Sequence, residues 1–207
     1  MAYAVIAIAR TLSAGGESIG RMVAGELGMR YVDNEVVDQA AALVGLTAKD
    51  IAQVEVEQRK SLIERILESF APAGAAADVP ATQAMSALPG YEQIIVDVLH
   101  RTASEGNVVI VAHGAAIALA GRSDVLRILV TASDETRMAR LIALGRGKTT
   151  AQELIDESDA GRAEFLKRFY NLEEETPIHY DLVVNTDRLS AEQAAAAIRT
   201  LAATRRA

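Results

Sequence analysis

The sequence predicts an α/β fold in which helices cover both faces of a parallel sheet. Three observations lead there. Short apolar, β-branched runs alternate with longer amphipathic segments along the chain. The first run, at 3–9, is continuously apolar, as a strand buried on both faces must be. A Ser/Gly-rich loop then joins it to a helix, the setting in which backbone N–H groups and a helix N-terminus cradle phosphate. At 207 residues the chain has enough length for a full core, and a single domain over 1–207 is expected.

The elements follow in order. After the glycines, Ile19, Met22, Val23 and Leu27 recur at helical spacing, and Gly28 supplies a C-terminal stop. Arg30-Tyr31-Val32 reads as a brief second strand. Helices are expected over 34–44 and from Thr47 onward, the second with Ile63, Ile66, Leu67 and Phe70 along one face. Prolines, Gly74 and an alanine run break the pattern over 71–89, giving a loop or mobile flap. Its low charge suits packing on a partner or on a second copy. A helix over 91–104 leads through Gly106-Asn107 to a strand at 108–112, and another strand follows at 125–131. Ser133 caps a helix that carries Asp134 and Glu135 in its first turn, where they suit the dipole. Thr150 with Glu153, and later Ser190 with Gln193, have capping-box spacing for two further helices. A last strand at 180–184 lies between them, and the final helix frays into Arg205-Arg206.

Composition narrows the function. With 28 acidic and 21 basic residues the net charge is −7, which argues against a general nucleic-acid or membrane-surface binder. The absence of cysteine excludes disulfides, thiolate metal sites and cysteine nucleophiles. The three histidines, at 100, 113 and 179, lack metal-ligand spacing, so no metal site is expected from them. No serine sits in a nucleophile elbow. The N-terminal residues lack the pattern of a signal peptide and no apolar stretch approaches a bilayer span, so the expected location is cytoplasmic.

Chemistry concentrates in residues 9–20. Arg10, Ser13, Ala14, Gly15, Gly16, Glu17 and Ser18 are the candidate phosphate-binding residues. The segment departs from G-x-x-x-x-G-K-[ST]: with Gly15 as the second glycine, Arg10 replaces the first, Gly16 the lysine and Glu17 the hydroxyl residue. Read alone, it is equally a tight strand-to-helix turn.

The run from Ala4 to Gly28, with Tyr31-Val32-Asp33 after it, resembles the cytidylate kinase-like family of P-loop proteins, whose lysine-less loop has the form S-R-x-x-G-S-G-G-x-x-I-G. Arg10, Gly15, Gly16, Ile19 and Gly20 are the matching positions. Residues 108–115 are similar to that family's apolar strand ending in G-R-G-A. Glu157-Ser158-Asp159-Ala160-Gly161-Arg162 is similar to its S-D-x-x-R helix, and Tyr180-Asp181-Leu182-Val183-Val184-Asn185-Thr186 to its Y-D-L-V-I-N-T strand.

The resemblance implies a three-layer P-loop NTPase-like sheet, a helical acceptor-binding insert at about 34–90 and lid-like helices at about 140–175. It implies ATP over the loop, Mg2+ with it in an active enzyme, and transfer of a phosphoryl group to a nucleoside monophosphate or similar small acceptor. Such chemistry rests on charge neutralisation and positioning, and arginine forks match phosphate oxygens. Arg162 and Arg140 stand in matching positions as catalytic candidates, with Arg10 on the nucleotide phosphates. Asp33, His113 and Asp159 fall on the acceptor side. Each has a plainer reading beside it: Asp33 as an N-cap, His113 as a structural histidine, and Asp159 with Arg162 as an i,i+3 pair on a solvated helix face.

The departures favour rivals. Glu17 stands where the family often has a basic residue, His113 replaces the arginine of G-R-G-A, and no aspartate ends the third strand. Two unit charges 4 Å apart interact by about 4 kcal/mol at an effective dielectric near 20, enough for Glu17 to weaken triphosphate binding unless it turns away or holds magnesium. A catalytically silent nucleotide-binding or regulatory protein with a degenerate P-loop is therefore the second reading. An oligomeric module built on segment 71–89 is the third.

Overall fold

Val5 to Ala9 are wholly solvent-free, a condition only a central strand covered on both faces meets. They form β1 (Val5–Arg10). In the computed structural model, residues 3–33, 91–112 and 114–204 are described. The helices expected over 34–70, the 71–89 segment, His113 and Arg205-Arg206 lie outside the described residues.

Among the described residues the remaining elements are α1 (Gly16–Leu27), β2 (Arg30–Val32), α2 (Tyr91–Glu105), β3 (Val108–Val111), α3 (Ala115–Ala118), β4 (Val125–Thr131), α4 (Asp134–Ala143), α5 (Lys148–Tyr170), β5 (Leu182–Asn185) and α6 (Ala191–Ala203). The five strands run in the order β2-β3-β1-β4-β5, and every pairing is parallel. This is the doubly covered parallel sheet that the alternation of apolar runs and helices predicts.

Strand periodicity sorts the core into two layers. Ile6 and Ile8 join Val109, Val111, Leu126 and Ile128 under α1 and α6. Val5, Ala7 and Ala9 face the other way, joining Val108, Ile110 and Val125 under α2 and α3. A third cluster, Leu141, Ala151 and Ile155, ties α4 to α5 and takes in Leu12 of the loop after β1. The two helices nearest that loop are therefore packed on it.

Most helix signals hold. The Ser133 side chain accepts from the Thr136 N–H, Ser190 and Gln193 form a reciprocal capping box, and Gly28 ends α1 at φ 64°. Two expectations are corrected. α5 begins at Lys148, with an extended Gly147 as its cap and no side-chain bond there, so Thr150 lies inside the helix. The last strand starts at Leu182, since Pro177–His179 forms a 3₁₀ turn and Tyr180 and Asp181 lead from it into the strand. Among the described residues no helix is long and apolar enough to cross a membrane.

Candidate functional site

The loop between β1 and α1 turns through two left-handed residues, Ser13 at φ 58° and Gly15 at φ 89°. Gly15 takes this conformation freely. Ser13 carries a Cβ into it, at a cost of about 1–2 kcal/mol, where the family loop has glycine. Successive N–H groups in such a turn form an anion-binding concavity, and the first-turn N–H groups of α1 have no acceptor in the helical ladder. The Ser18 hydroxyl donates to the Gly15 carbonyl at 2.9 Å, which fixes the turn on the helix.

Position 20 explains how α1 sits so close to the sheet. A Cβ on Gly20 would lie 2.6 Å from Val111 Cγ2 and 3.2 Å from Tyr31 Cε2. Glycine there lets the helix start press against β3 and β2.

From the other side the loop is braced by two residues far away in sequence. Arg140 Nη1 donates to the Ser13 carbonyl at 3.0 Å and to Thr186 Oγ1 at 3.0 Å, while its Nη2 donates to the Thr186 carbonyl at 2.8 Å. The buried Thr186 hydroxyl donates in turn to the Ala14 carbonyl at 2.9 Å. The guanidinium of Arg140 thus engages main-chain carbonyls of the loop and of β5's end.

Arg162 lies beneath the same loop, 6% exposed. Its Nε donates to Glu175 Oε2 at 2.7 Å, its Nη2 donates to the other carboxylate oxygen, and its Nη1 reaches the Arg10 carbonyl at 3.3 Å. The Tyr180 hydroxyl also donates to Glu175. Burial works to raise the Glu175 carboxyl, but hydrogen bonding to Arg162 and the charge of Arg162 outweigh it and hold the group below its ordinary value. Burial pushes the Tyr180 hydroxyl well above the usual phenol range.

Arg10 is ion-paired through Nε to Glu17 Oε1, so the loop's own cation and its unexpected carboxylate meet. Asp33, just past β2, pairs with Arg21 at 3.2 Å, and the Arg21 guanidinium stacks over Tyr31, 4.9 Å from the ring centroid. Asp159 does not pair with Arg162. It accepts both Nη groups of Arg137 at 2.8 and 2.6 Å, and Asp134 accepts the second of them at 2.6 Å. Arg137 is 3% exposed, which makes this trio the polar clasp between α4 and α5. At the end of β3, a Cβ on Gly114 would lie 2.5 Å from the Tyr170 hydroxyl, so the ring at the end of α5 rests on that glycine.

Arg10, Ser13, Ala14, Gly15, Gly16, Glu17, Ser18, Arg140 and Arg162 are therefore gathered around one loop, whereas Asp159 belongs to the α4–α5 clasp. Tyr180 and Thr186, the two ends of the Y-D-L-V-I-N-T-like segment, and Glu175, which nothing in the sequence singles out, complete the supports. Among the described residues no group of three histidine or carboxylate side chains is placed to hold a metal ion. Thr11, Ser13, Glu17 and Ser18 carry side-chain oxygens at the loop, all of a type magnesium accepts, since Mg2+ commonly takes one or two protein oxygens and keeps phosphate and water.

Solved structures share this architecture. An uncharacterised protein from Eubacterium ventriosum superposes with a TM-score of 0.65 at 13% identity, covering 96% of this chain and 97% of that one. Shikimate kinase from Bacteroides thetaiotaomicron gives 0.51 at 16% identity, covering 95% and 96%. Shikimate kinase from Acinetobacter baumannii in complex with shikimate gives 0.50 at 15%, covering 95% and 91%. At these identities the likeness concerns the fold, which is that of P-loop kinases. No curated protein sequence matches the chain. The sequence does match one family description from residue 5 to residue 188, which takes in the loop, its braces and every strand, and the chain belongs to the cytidylate kinase-like family.

Proposed function

We propose that the protein is a phosphotransferase that moves a phosphoryl group from ATP to a nucleoside monophosphate or a similar small acceptor. The observation that carries this reading is the loop from Arg10 to Ser18. Its left-handed Ser13 and Gly15 set the first turn of α1 against the end of β1, with two arginines supporting it.

In this reading the loop N–H groups and Arg10 bind the nucleotide phosphates, and Ser18 would offer a hydroxyl to a nucleotide-borne Mg2+, which would neutralise phosphate charge when bound. Arg140 acts by holding the Ser13 and Thr186 carbonyls, and so the loop's shape. Arg162 is kept charged under the loop by Glu175. Asp33, just past β2, and His113, which follows β3 by two residues in the sequence, are proposed for the acceptor, because ligands of open α/β sheets bind at the carboxyl ends of strands. Asp159 supports the lid through Arg137. A cytoplasmic protein acting on free nucleotides is the setting this chemistry suits, and segment 71–89 is the proposed contact for any self-association.

A second reading, a nucleotide binder without turnover, is favoured by one specific feature: Arg10 and Arg162 are each paired with a carboxylate, Glu17 and Glu175. ATP consumption measured against a panel of nucleoside monophosphates and small hydroxyl acceptors separates the two. The kinase reading expects turnover with at least one acceptor and a loss of about a hundredfold or more in kcat in Arg162→Lys, which keeps the charge and loses the fork. Saturable ATP binding with no turnover on any acceptor establishes the silent binder instead. No binding of ATP at millimolar concentration overturns both.

A further inference from the structure

Position 16, where the common loop carries lysine, cannot hold one here. A Cβ at Gly16 would lie 2.7 Å from Arg10 Cβ and 2.9 Å from Arg10 Cδ, closer than carbon atoms approach. The stem of Arg10 runs through the space in which a lysine stem would begin, and its side chain is 15% exposed. The two features require each other. Glycine at 16 admits the arginine from the end of β1, and the arginine brings a guanidinium to the first turn of α1 in place of the missing ammonium.

That guanidinium already has an anion. Glu17, in the first turn of α1, accepts a hydrogen bond from Arg10 Nε. The carboxylate is a member of the same helix turn whose N–H groups a phosphate would use. A carboxylate and a phosphate are both oxyanions suited to an arginine fork, so they compete for one partner. Left beside bound phosphate, the carboxylate would repel it. Its side chain is 43% exposed, which gives it an open path toward solvent.

We infer that Glu17 is an internal competitor for the phosphate site: it occupies Arg10, the cation that stands in for the loop's lysine, and bound phosphate displaces it. This rests on the reading of the loop as a nucleotide site. Its consequence is a site whose resting affinity is lowered by its own sequence. Ligands rich in phosphate charge gain most from the exchange, and single weak anions gain least.

Calorimetric titration of the full chain with pyrophosphate in EDTA, and separately with ATP and Mg2+, tests it. Glu17→Gln is expected to tighten both Kd values by about fivefold, the worth of a partly exposed ion pair. The ligand-free Tm of this variant is expected to fall slightly, because the pair is lost. Opposite movement of affinity and stability is what a purely structural Glu17 does not give. In the Arg10→Gln background Glu17→Gln is expected to bring no gain; if the double variant binds tighter than Arg10→Gln by the same factor, Glu17 does not act through Arg10 and the inference is overturned. Unchanged Kd values in Glu17→Gln overturn it while leaving the nucleotide site standing. Weakened binding confined to the Mg2+ titration makes Glu17 a metal ligand and also overturns it. Failure of wild type and variant alike to bind either ligand removes the nucleotide site itself, and this inference with it.

Discussion

Arg162 Nη1 donates to the main-chain carbonyl of Arg10 across 3.3 Å, which links the helix α5 to the last residue of β1. The strand that launches the phosphate loop is thereby joined to the helices that pack against Leu12 of that loop. The same arginine is anchored by Glu175, so the position of α5, the shape of the loop and the charge beneath it depend on one buried ion pair.

Glu175→Gln removes the carboxylate charge and leaves Arg162 buried with a neutral partner. Breaking one side of a buried pair is expected to cost about 3 kcal/mol, read as a lower urea midpoint at pH 7. The pH dependence has a definite sign. Because the folded-state carboxyl lies below its ordinary value of 4.5, its contribution is fully present above that value and is lost as pH falls through the folded one. The stability difference between wild type and Glu175→Gln should therefore narrow as acid is added. A difference that stays constant or widens below pH 4.5 would show that Glu175 is not the group held charged by Arg162.

Thr186→Val keeps the shape of the side chain and deletes the hydroxyl that donates to the Ala14 carbonyl and accepts from Arg140. Thr186 is 4% exposed, so the groups it leaves behind are cut off from water. The expected loss is about 2 kcal/mol, with weaker pyrophosphate binding, since the carbonyls of Ser13 and Ala14 lose one of their fixed points. Thr186→Ser restores both. If Thr186→Val loses stability with an unaltered pyrophosphate Kd, the brace supports the fold alone.

What was legible in the sequence was local. β1 and β4 show as apolar runs, and Ser133 and Ser190 announce their helices within three residues. The supports of the loop are not local. Glu175 stands in Glu173-Glu174-Glu175, where nothing marks the third glutamate as the one buried against Arg162. Thr186 reads as a strand end until parallel pairing sets Thr131 opposite Asn185 and brings that end under Ala14. Asp159 illustrates the opposite hazard. Its i,i+3 relation to Arg162 was plain, yet Arg137 from another helix takes it: Arg162 is already held by Glu175, and the nearly solvent-free Arg137 finds in Asp159 an acceptor for both of its Nη groups. The orientation of Glu17 toward Arg10 was equally out of reach, since it depends on Gly16 leaving room for the arginine stem.

Two glycines of α1 give a last prediction with opposite signs. Alanine is the better helix former by about 1 kcal/mol at both positions on propensity alone. At Gly25 nothing lies within 4 Å of the added Cβ, and Gly25→Ala should stabilise the protein by about 0.5–1 kcal/mol. At Gly20 the added Cβ meets Val111 Cγ2 at 2.6 Å, and the neighbour belongs to a strand whose residues are buried on both sides of the sheet. Overpacking there costs about 1–3 kcal/mol, so the net change is destabilising. Thermal unfolding of the two variants reads the difference directly: Tm rises for Gly25→Ala and falls for Gly20→Ala. Because α1 carries the loop at its start, the displaced helix of Gly20→Ala should also bind pyrophosphate more weakly, whereas Gly25→Ala leaves that Kd where it is. Equal gains in Tm at both positions would mean that α1 is not held against β3 as closely as the distance from Gly20 to Val111 requires.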